Sequence, residues 1–323
     1  MNHSGLSIWT NTRFSEPVAT FLREGVAEHR LIEASDLGCD ESNEALGQAD
    51  IAFGQPDAQV LMNSARLKWV HISSAGYTNY DRDDFKAFLR DRGAPLSNSS
   101  GVFDEPCAQH LLAMMLCDAR QLLPSFESQL GDHAWNGQAR RDGSFLLNGR
   151  RVLILGYGAI ARRLVQLLAP FDSKITALRR HLRGDEGQSI EIIGEDELRN
   201  ALAQADDVVN ILPDNTSTRG WMNASRFAQM KRGARFFNIG RGVTVDQNAL
   251  LSALESGALG LAYLDVTDPE PLPPDHPLWS APRCFLTPHT AGGFQGEEER
   301  LAQHFLNNLR LLERGEPLLD RVV

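Results

Sequence analysis

The sequence predicts an α/β protein built from two doubly wound parallel-sheet domains, and three observations carry that expectation. The chain has 323 residues, room for two domains of about 100 to 200 residues with separate cores. Short apolar runs alternate with stretches of helical period from one end to the other, the pattern of successive βαβ units. At residues 156–161 a glycine-rich turn follows directly on one such run and opens directly into a helical pattern.

Taken in order, residues 6–10, 50–54 and 68–73 read as buried strands separated by segments long enough for helices. Residues 123–149 are rich in Gln, Gly, Asp and Arg, so a surface excursion is expected there. Its one isolated large apolar residue, Trp135, either anchors a partner subunit or folds back on its own domain. The strand pattern restarts at 151–155 and returns at 174–178, 207–212, 234–239, 261–265 and 283–287. Residues 296–314 then form a charged helix whose Leu301, Phe305, Leu309 and Leu312 mark one packed face. That face belongs against the second sheet or back on the first half.

Composition narrows the function. With 32 basic and 42 acidic side chains the formal charge is −10, which argues against nucleic acid, because backbone binding needs a surplus of Lys and Arg on one face. Residues 106–117 are the most apolar stretch, well short of the roughly 20 residues of a spanning helix, so no membrane association is expected. The N-terminus has neither the basic nor the apolar region of a secretory signal, which places the protein in the cytoplasm. Cysteines 39, 107, 117 and 284 form no CxxC pair and no spacing with His that suggests zinc. Free thiols and no metal site are expected.

The most informative motif is Gly156-Tyr157-Gly158-Ala159-Ile160-Ala161, after the run 151–155 and before a helix reaching about residue 169. In that setting the first glycine makes a tight turn, the second admits a pyrophosphate to the backbone, and a small third residue lets helix and strand pack closely. The free N–H groups and positive dipole end of the helix then face the phosphates. This is the signature of a Rossmann dinucleotide-binding domain. Cofactor choice is read at the end of the next strand. No acid stands there to bind a ribose 2′-hydroxyl; Arg179, Arg180, His181 and Arg183 stand there instead. An arginine in that place suits the 2′-phosphate of NADP(H), which is favoured over NAD(H). The competing reading is that surface arginines merely follow the strand.

Three further segments stand just past strand ends, where open α/β sheets bind their ligands: Asn238-Ile-Gly-Arg241-Gly242, the run from Asp265 through Glu270 to Leu272, and Thr287-Pro-His289-Thr-Ala-Gly-Gly293. Singly, each charged residue reads as a solvated surface group. Together they suit hydride transfer to a 2-oxoacid. The planar guanidinium of Arg241 grips a carboxylate and a carbonyl. His289 can give the carbonyl oxygen its proton, and a paired Glu270 would orient the ring and favour its charged form.

With these segments the chain resembles the D-isomer-specific 2-hydroxyacid dehydrogenases, whose run of strand, glycine turn, Asn-x-Gly-Arg-Gly, Asp-Val-x-x-x-Glu-Pro-Leu and Thr-Pro-His appears here in the same order. The resemblance is specific over about 149–293. It implies that Arg241 binds substrate, that His289 is the general acid/base and that Glu270 orients it. It further implies that Gly156, Tyr157, Gly158, Ala159, Ile160, Leu212, Pro213, Thr218, Ile239, Gly240 and Gly292 line the cofactor, and that Asp265 holds the nicotinamide carboxamide. Ala75 and Gly76, with Tyr77 beside them, are similar to the family segment whose backbone N–H groups hold the substrate carboxylate. Departures from the family pattern are Thr78, where an Asp is common, and 104–109, which replaces an Ala-rich run ending in Val-Ala-Glu.

The implied architecture is a flavodoxin-like substrate domain of 1–101 plus 291–323 with a dinucleotide-binding domain of 102–290 inserted in it. The expected activity is NADPH-dependent, reversible reduction of a short 2-oxoacid such as glyoxylate or hydroxypyruvate to the D-2-hydroxyacid, by a homodimer. Phosphoglycerate is disfavoured because no basic cluster flanks 75–79. Two alternatives stay open: an NAD-dependent dehydrogenase of a bulkier 2-hydroxyacid, with Phe53, Tyr77 and Trp279 as pocket walls or else as ordinary core aromatics, and an NADP(H)-sensing, non-catalytic protein of the same fold.

Overall fold

A computed structural model describes residues 5–180 and 190–323. The chain divides into two compact units, Met1–Phe103 with Gly293–Val323, and Asp104–Gly292. The boundary falls within the helix Ser100–Ala119.

The first unit holds a parallel sheet of β1 (Ser7–Thr10), β2 (Arg30–Glu33), β3 (Ile51–Gly54), β4 (Trp69–Ile72) and β5 (Leu96–Ser97), in the order β2-β1-β3-β4-β5. β3 and β4 are buried at every position. A strand covered on both faces has no solvent side, so β3 reads as an apolar run and the one polar residue of β4, His71, is buried and bonded to Ser97 and Ser99. The C-terminal helix Glu297–Glu313 packs on this unit, which settles where its stripe belongs: Leu301, Phe305, Leu306 and Leu309 join Ile8, Leu22, Phe53 and Trp69 in one cluster. Phe305 stacks on Phe53 at 4.2 Å and on Trp69 at 5.2 Å between ring centroids, with planes tilted by 8° and 4°. Phe53 is thus a core residue rather than a pocket wall. Beyond the helix the chain returns to the sheet, where Val322 N–H donates to the Leu96 carbonyl at 2.7 Å.

The second unit holds β6 (Arg151–Leu155), β7 (Lys174–Leu178), β8 (Glu191–Ile193), β9 (Asp207–Asn210), β10 (Ala234–Asn238), β11 (Leu259–Leu264) and β12 (Cys284–Leu286). All are parallel, in the order β12-β11-β10-β9-β6-β7-β8. The chain runs outward from β6 to β8, then returns to β9 on the other side of β6. Strand order therefore reverses between β6 and β9, and a crevice opens beyond their C-terminal ends.

Residues 123–149 form an excursion that carries the helices Leu122–Leu130 and Gly137–Gly143. Trp135 at 98% exposure and Leu130 at 85% touch little of their own unit, so Trp135 does not fold back. The excursion is rooted at Phe145, whose ring lies between the guanidinium groups of Arg150 at 4.4 Å and Arg235 at 4.1 Å. Asp207 and Asp118 pair with those two arginines and hold them in place. No helix among the described residues is long and apolar enough to cross a membrane.

Candidate active site

The glycine turn occupies the crevice between β6 and β9. Gly156 has φ of +95°, and a Cβ there would lie 3.1 Å from the Ile211 carbonyl oxygen, so both backbone shape and close approach exclude a side chain. Gly158 caps the helix Ala159–Leu168 and faces open space. Ala161 is wholly buried against the sheet. The first amides of that helix have no intrahelical acceptor and point into the open space before it. This is a cradle for a pyrophosphate, and a side chain at Gly158 would fill it.

At the end of β7, Arg179 is half-buried and its N–H donates to the Ile193 carbonyl at 3.2 Å. Arg180 is exposed and its guanidinium hydrogen-bonds the Ser217 hydroxyl. His181 and Arg183 lie outside the described residues. Ser217 belongs to the loop after β9, which closes on itself through Thr218. The buried Thr218 hydroxyl donates to the Pro213 carbonyl at 2.6 Å and accepts from the Asn215 amide at 3.0 Å. Leu212 lies at the start of that loop, directly against Gly240, where a Cβ would stand 2.6 Å from the Leu212 carbonyl oxygen.

Arg241 follows β10, and its backbone is fixed from below. Its carbonyl accepts from the Thr244 hydroxyl at 2.6 Å and the Asn238 amide at 3.3 Å. Asn210 in turn donates to the Asn238 side-chain oxygen at 3.0 Å and to the Thr244 hydroxyl oxygen at 2.7 Å. Asn210, Asn238 and Thr244 are all buried, so this is a fully satisfied polar lattice beneath the Arg241 side chain. The guanidinium itself is half-buried, donates to the Gly240 carbonyl at 2.7 Å and forms no ion pair among the described residues. Sequence reading singled out neither Asn210 nor Thr244. A polar residue at 210, inside a run read as a buried strand, was the signal available.

The third group sits on the loops after β11 and β12. Glu270 accepts from the Thr267 N–H at 2.9 Å through one oxygen and faces His289 Nδ1 at 2.8 Å through the other. The imidazole therefore carries hydrogen on Nδ1 and turns Nε2 outward. His289 is 51% and Glu270 37% exposed in their side chains. Next to Thr267 the two loops touch: a Cβ on Gly242 would lie 1.9 Å from the Thr267 carbonyl oxygen, so only glycine lets the Arg241 and Glu270 loops meet.

Buried Asp265 directs both carboxylate oxygens to the turn that carries His289. They accept from the Thr287 hydroxyl at 2.5 Å, Thr290 N–H at 2.9 Å and Ala291 N–H at 3.0 Å, while the Asp265 carbonyl accepts from His289 N–H at 2.8 Å. His289 has φ of +53°, an uncommon conformation for a side-chain-bearing residue that those bonds enforce. Half-buried Gly292 closes the turn.

Arg241, Asp265, Glu270 and His289 are thus brought into one bonded group, with Asn238 joining the first two: its carbonyl accepts from Asp265 N–H at 2.9 Å. Ala75, Gly76 and Tyr77 belong to the other unit, in the loop after β4. Asn98 holds the Ala75 carbonyl at 2.6 Å and the Ser74 hydroxyl donates to the Gly76 carbonyl at 2.7 Å. The N–H groups of Ala75 and Gly76 make no hydrogen bond among the described residues. Trp279, exposed at 55%, donates to the Pro273 carbonyl.

Residues 112–291 match the family model described as D-isomer specific 2-hydroxyacid dehydrogenase, NAD binding domain. A probable 2-ketogluconate reductase of Dictyostelium discoideum is 30% identical over 257 residues, covering 78% of this chain and 75% of that protein. A glyoxylate/hydroxypyruvate reductase A of Photorhabdus laumondii is 29% identical over 264 residues, covering 81% of this chain and 82% of that one. Among solved structures, a D-isomer specific 2-hydroxyacid dehydrogenase from Xanthobacter autotrophicus in complex with NADPH and MES superposes with a TM-score of 0.77 at 27% identity, covering 99% of this chain and 98% of that one.

Proposed function

We propose that this protein, which belongs to the D-isomer-specific 2-hydroxyacid dehydrogenase family, uses NADPH to reduce a short 2-oxoacid of the glyoxylate or hydroxypyruvate kind to the D-2-hydroxyacid. The observation that carries this reading is the outward Nε2 of His289, set by Glu270 in the same bonded group as an arginine that forms no ion pair among the described residues. The named activities of relatives support the substrate class.

A nicotinamide dinucleotide, when bound, supplies the hydride. The turn at Gly156–Gly158 and the helix behind it fit its pyrophosphate, and Arg179 and Arg180 would hold a 2′-phosphate. His289, held by Glu270, gives a proton from Nε2 to the substrate's carbonyl oxygen. Arg241 opposes the negative charge that builds on that oxygen and grips the carboxylate beside it. The fully buried lattice beneath Arg241 means that its backbone need not reorganise during turnover.

The test is loss of NADPH absorbance with purified protein against a panel of 2-oxoacids, repeated with NADH. Turnover of glyoxylate or hydroxypyruvate with NADPH is expected; cofactor binding without turnover of any 2-oxoacid would sink the reading. Arg180→Ala is expected to lower the NADPH to NADH ratio of kcat/KM by roughly 10- to 100-fold, the worth of one hydrogen bond to a charged group. An unchanged ratio would remove Arg180 from cofactor choice.

Trp135, Leu130, Leu146 and Phe126, all exposed along the excursion, support a homodimer joined through that surface. In light scattering the protein is expected at twice its chain mass, and the double variant Leu130→Ser, Trp135→Ser at the single-chain mass. A monomeric unmodified protein refutes the assignment.

A further inference from the structure

An unbroken line of hydrogen bonds runs from the helix Ser100–Ala119 to the turn that carries His289. His110 Nε2 on that helix contacts the Tyr263 hydroxyl on β11. The Tyr263 hydroxyl lies 2.5 Å from the Thr287 hydroxyl, and Thr287 donates to Asp265 at 2.5 Å. Burial pushes the Tyr263 phenol far above its ordinary range, so it keeps its hydrogen.

Counting hydrogens gives the line a direction. The Asp265 carboxylate, which also receives two backbone N–H groups, only accepts. Thr287 spends its single hydrogen there, so at the next link Tyr263 is the donor. Tyr263 then has none left for His110, so His110 must donate from Nε2. Each member is left one role. A buried tyrosine commonly satisfies its hydroxyl on a carbonyl. This line ends instead on the Asp265 carboxylate, whose bonds hold the His289 turn at positive φ.

We propose that His110 is a positioning residue for the reaction, acting as its Nε2–H form through Tyr263 and Thr287 on the Asp265 carboxylate that fixes the His289 turn. The proposal rests on His289 being the acid/base. If the line is cut at Tyr263 or His110, the Thr287 hydroxyl loses the donor that aims its hydrogen at Asp265, and the turn is held less firmly. His289 Nε2 then samples positions away from the substrate oxygen, and a misplacement of about 1 Å costs on the order of 100-fold in rate.

The experiment compares Tyr263→Phe, His110→Leu, His110→Gln and His289→Ala for kcat, oxoacid KM and NADPH affinity, with nitrogen NMR of His110 in the unmodified protein. Tyr263→Phe and His110→Leu are expected to lower kcat by roughly 10- to 100-fold with KM and NADPH affinity within about twofold. His110→Gln keeps a donor near the Nε2 position and is expected to recover most of kcat. The NMR signal should show hydrogen on Nε2. Retained kcat in both line-cutting variants, loss confined to KM or cofactor affinity, failure of His110→Gln to recover kcat, or hydrogen on Nδ1 alone each overturns the proposal. Should a variant fail to fold, the NMR measurement decides by itself. If His289→Ala keeps turnover, the acid/base reading fails; if it loses turnover while His110→Leu does not, only the positioning role fails.

Discussion

Replacing His289 by alanine is expected to lower kcat by roughly 100- to 10,000-fold, the usual contribution of a positioned general acid, while leaving NADPH affinity within about twofold. The reasoning is local. The imidazole projects from a turn whose backbone is held by Asp265 and not by the ring, so removing the ring leaves the turn's bonds intact. Glu270, 37% exposed and still bonded to Thr267, remains solvated and is not stranded as a buried charge. Alanine does incur strain at φ of +53°, which asparagine tolerates better, so His289→Asn is the control. Both variants should lose turnover and both should bind NADPH. Turnover above about a tenth of the original in His289→Asn would take the proton-donor role away from this residue.

Arg241→Ala is the second large effect, expected to cost roughly 100- to 1,000-fold in kcat together with a raised oxoacid KM. The guanidinium serves twice in the proposed reaction, holding the carboxylate in the ground state and opposing oxygen charge in the transition state. The first role appears in KM and the second in kcat. Arg241→Lys should recover only a small part of either, because an ammonium cannot make the planar two-point contact. The backbone under Arg241 is held through its carbonyl by Thr244 and Asn238, bonds that no change of side chain touches. Full activity in Arg241→Lys would show that charge alone suffices and would remove the two-point contact.

Legibility followed burial. Apolar runs announced most of the strands, and most plainly β3, β6 and β11, whose central positions are buried in the sheet and filled by apolar side chains. β2, β5 and β8 were not announced: β2 and β8 are short outer strands with Arg30, Glu33 and Glu191 in them, and β5 has only Leu96 and Ser97. A strand paired on one side only can carry charge, and its pattern fades. The excursion at 123–149 was visible from composition, but its two helices were not. The helix Gly137–Gly143 begins and ends on glycine and is exposed along most of its length, so no apolar stripe marks it.

In the proposed site, Arg241, Glu270 and His289 could be singled out from sequence because each brings a particular chemistry to a loop after a strand. The residues proposed to aim them could not. Asn210, Thr244, His110 and Tyr263 come together only once β9, β10, β11 and the helix Ser100–Ala119 are packed. Asp265 was singled out for a different role, at the nicotinamide, and the use of both its oxygens on the His289 turn is a matter of three-dimensional arrangement alone.

The stacking of Phe305 on Phe53 and Trp69 has a consequence for biosynthesis. The second unit is one continuous stretch, and its strands can pair while the ribosome is still adding residues, at about 5–20 per second. The first unit is made in two instalments. Its opening sheet emerges early but lacks the helix that covers Ile8, Phe53 and Trp69 until residue 309 has left the exit tunnel. For that interval its aromatic face has no cover of its own. The sheet of the first unit is therefore completed only after the whole second unit has been made.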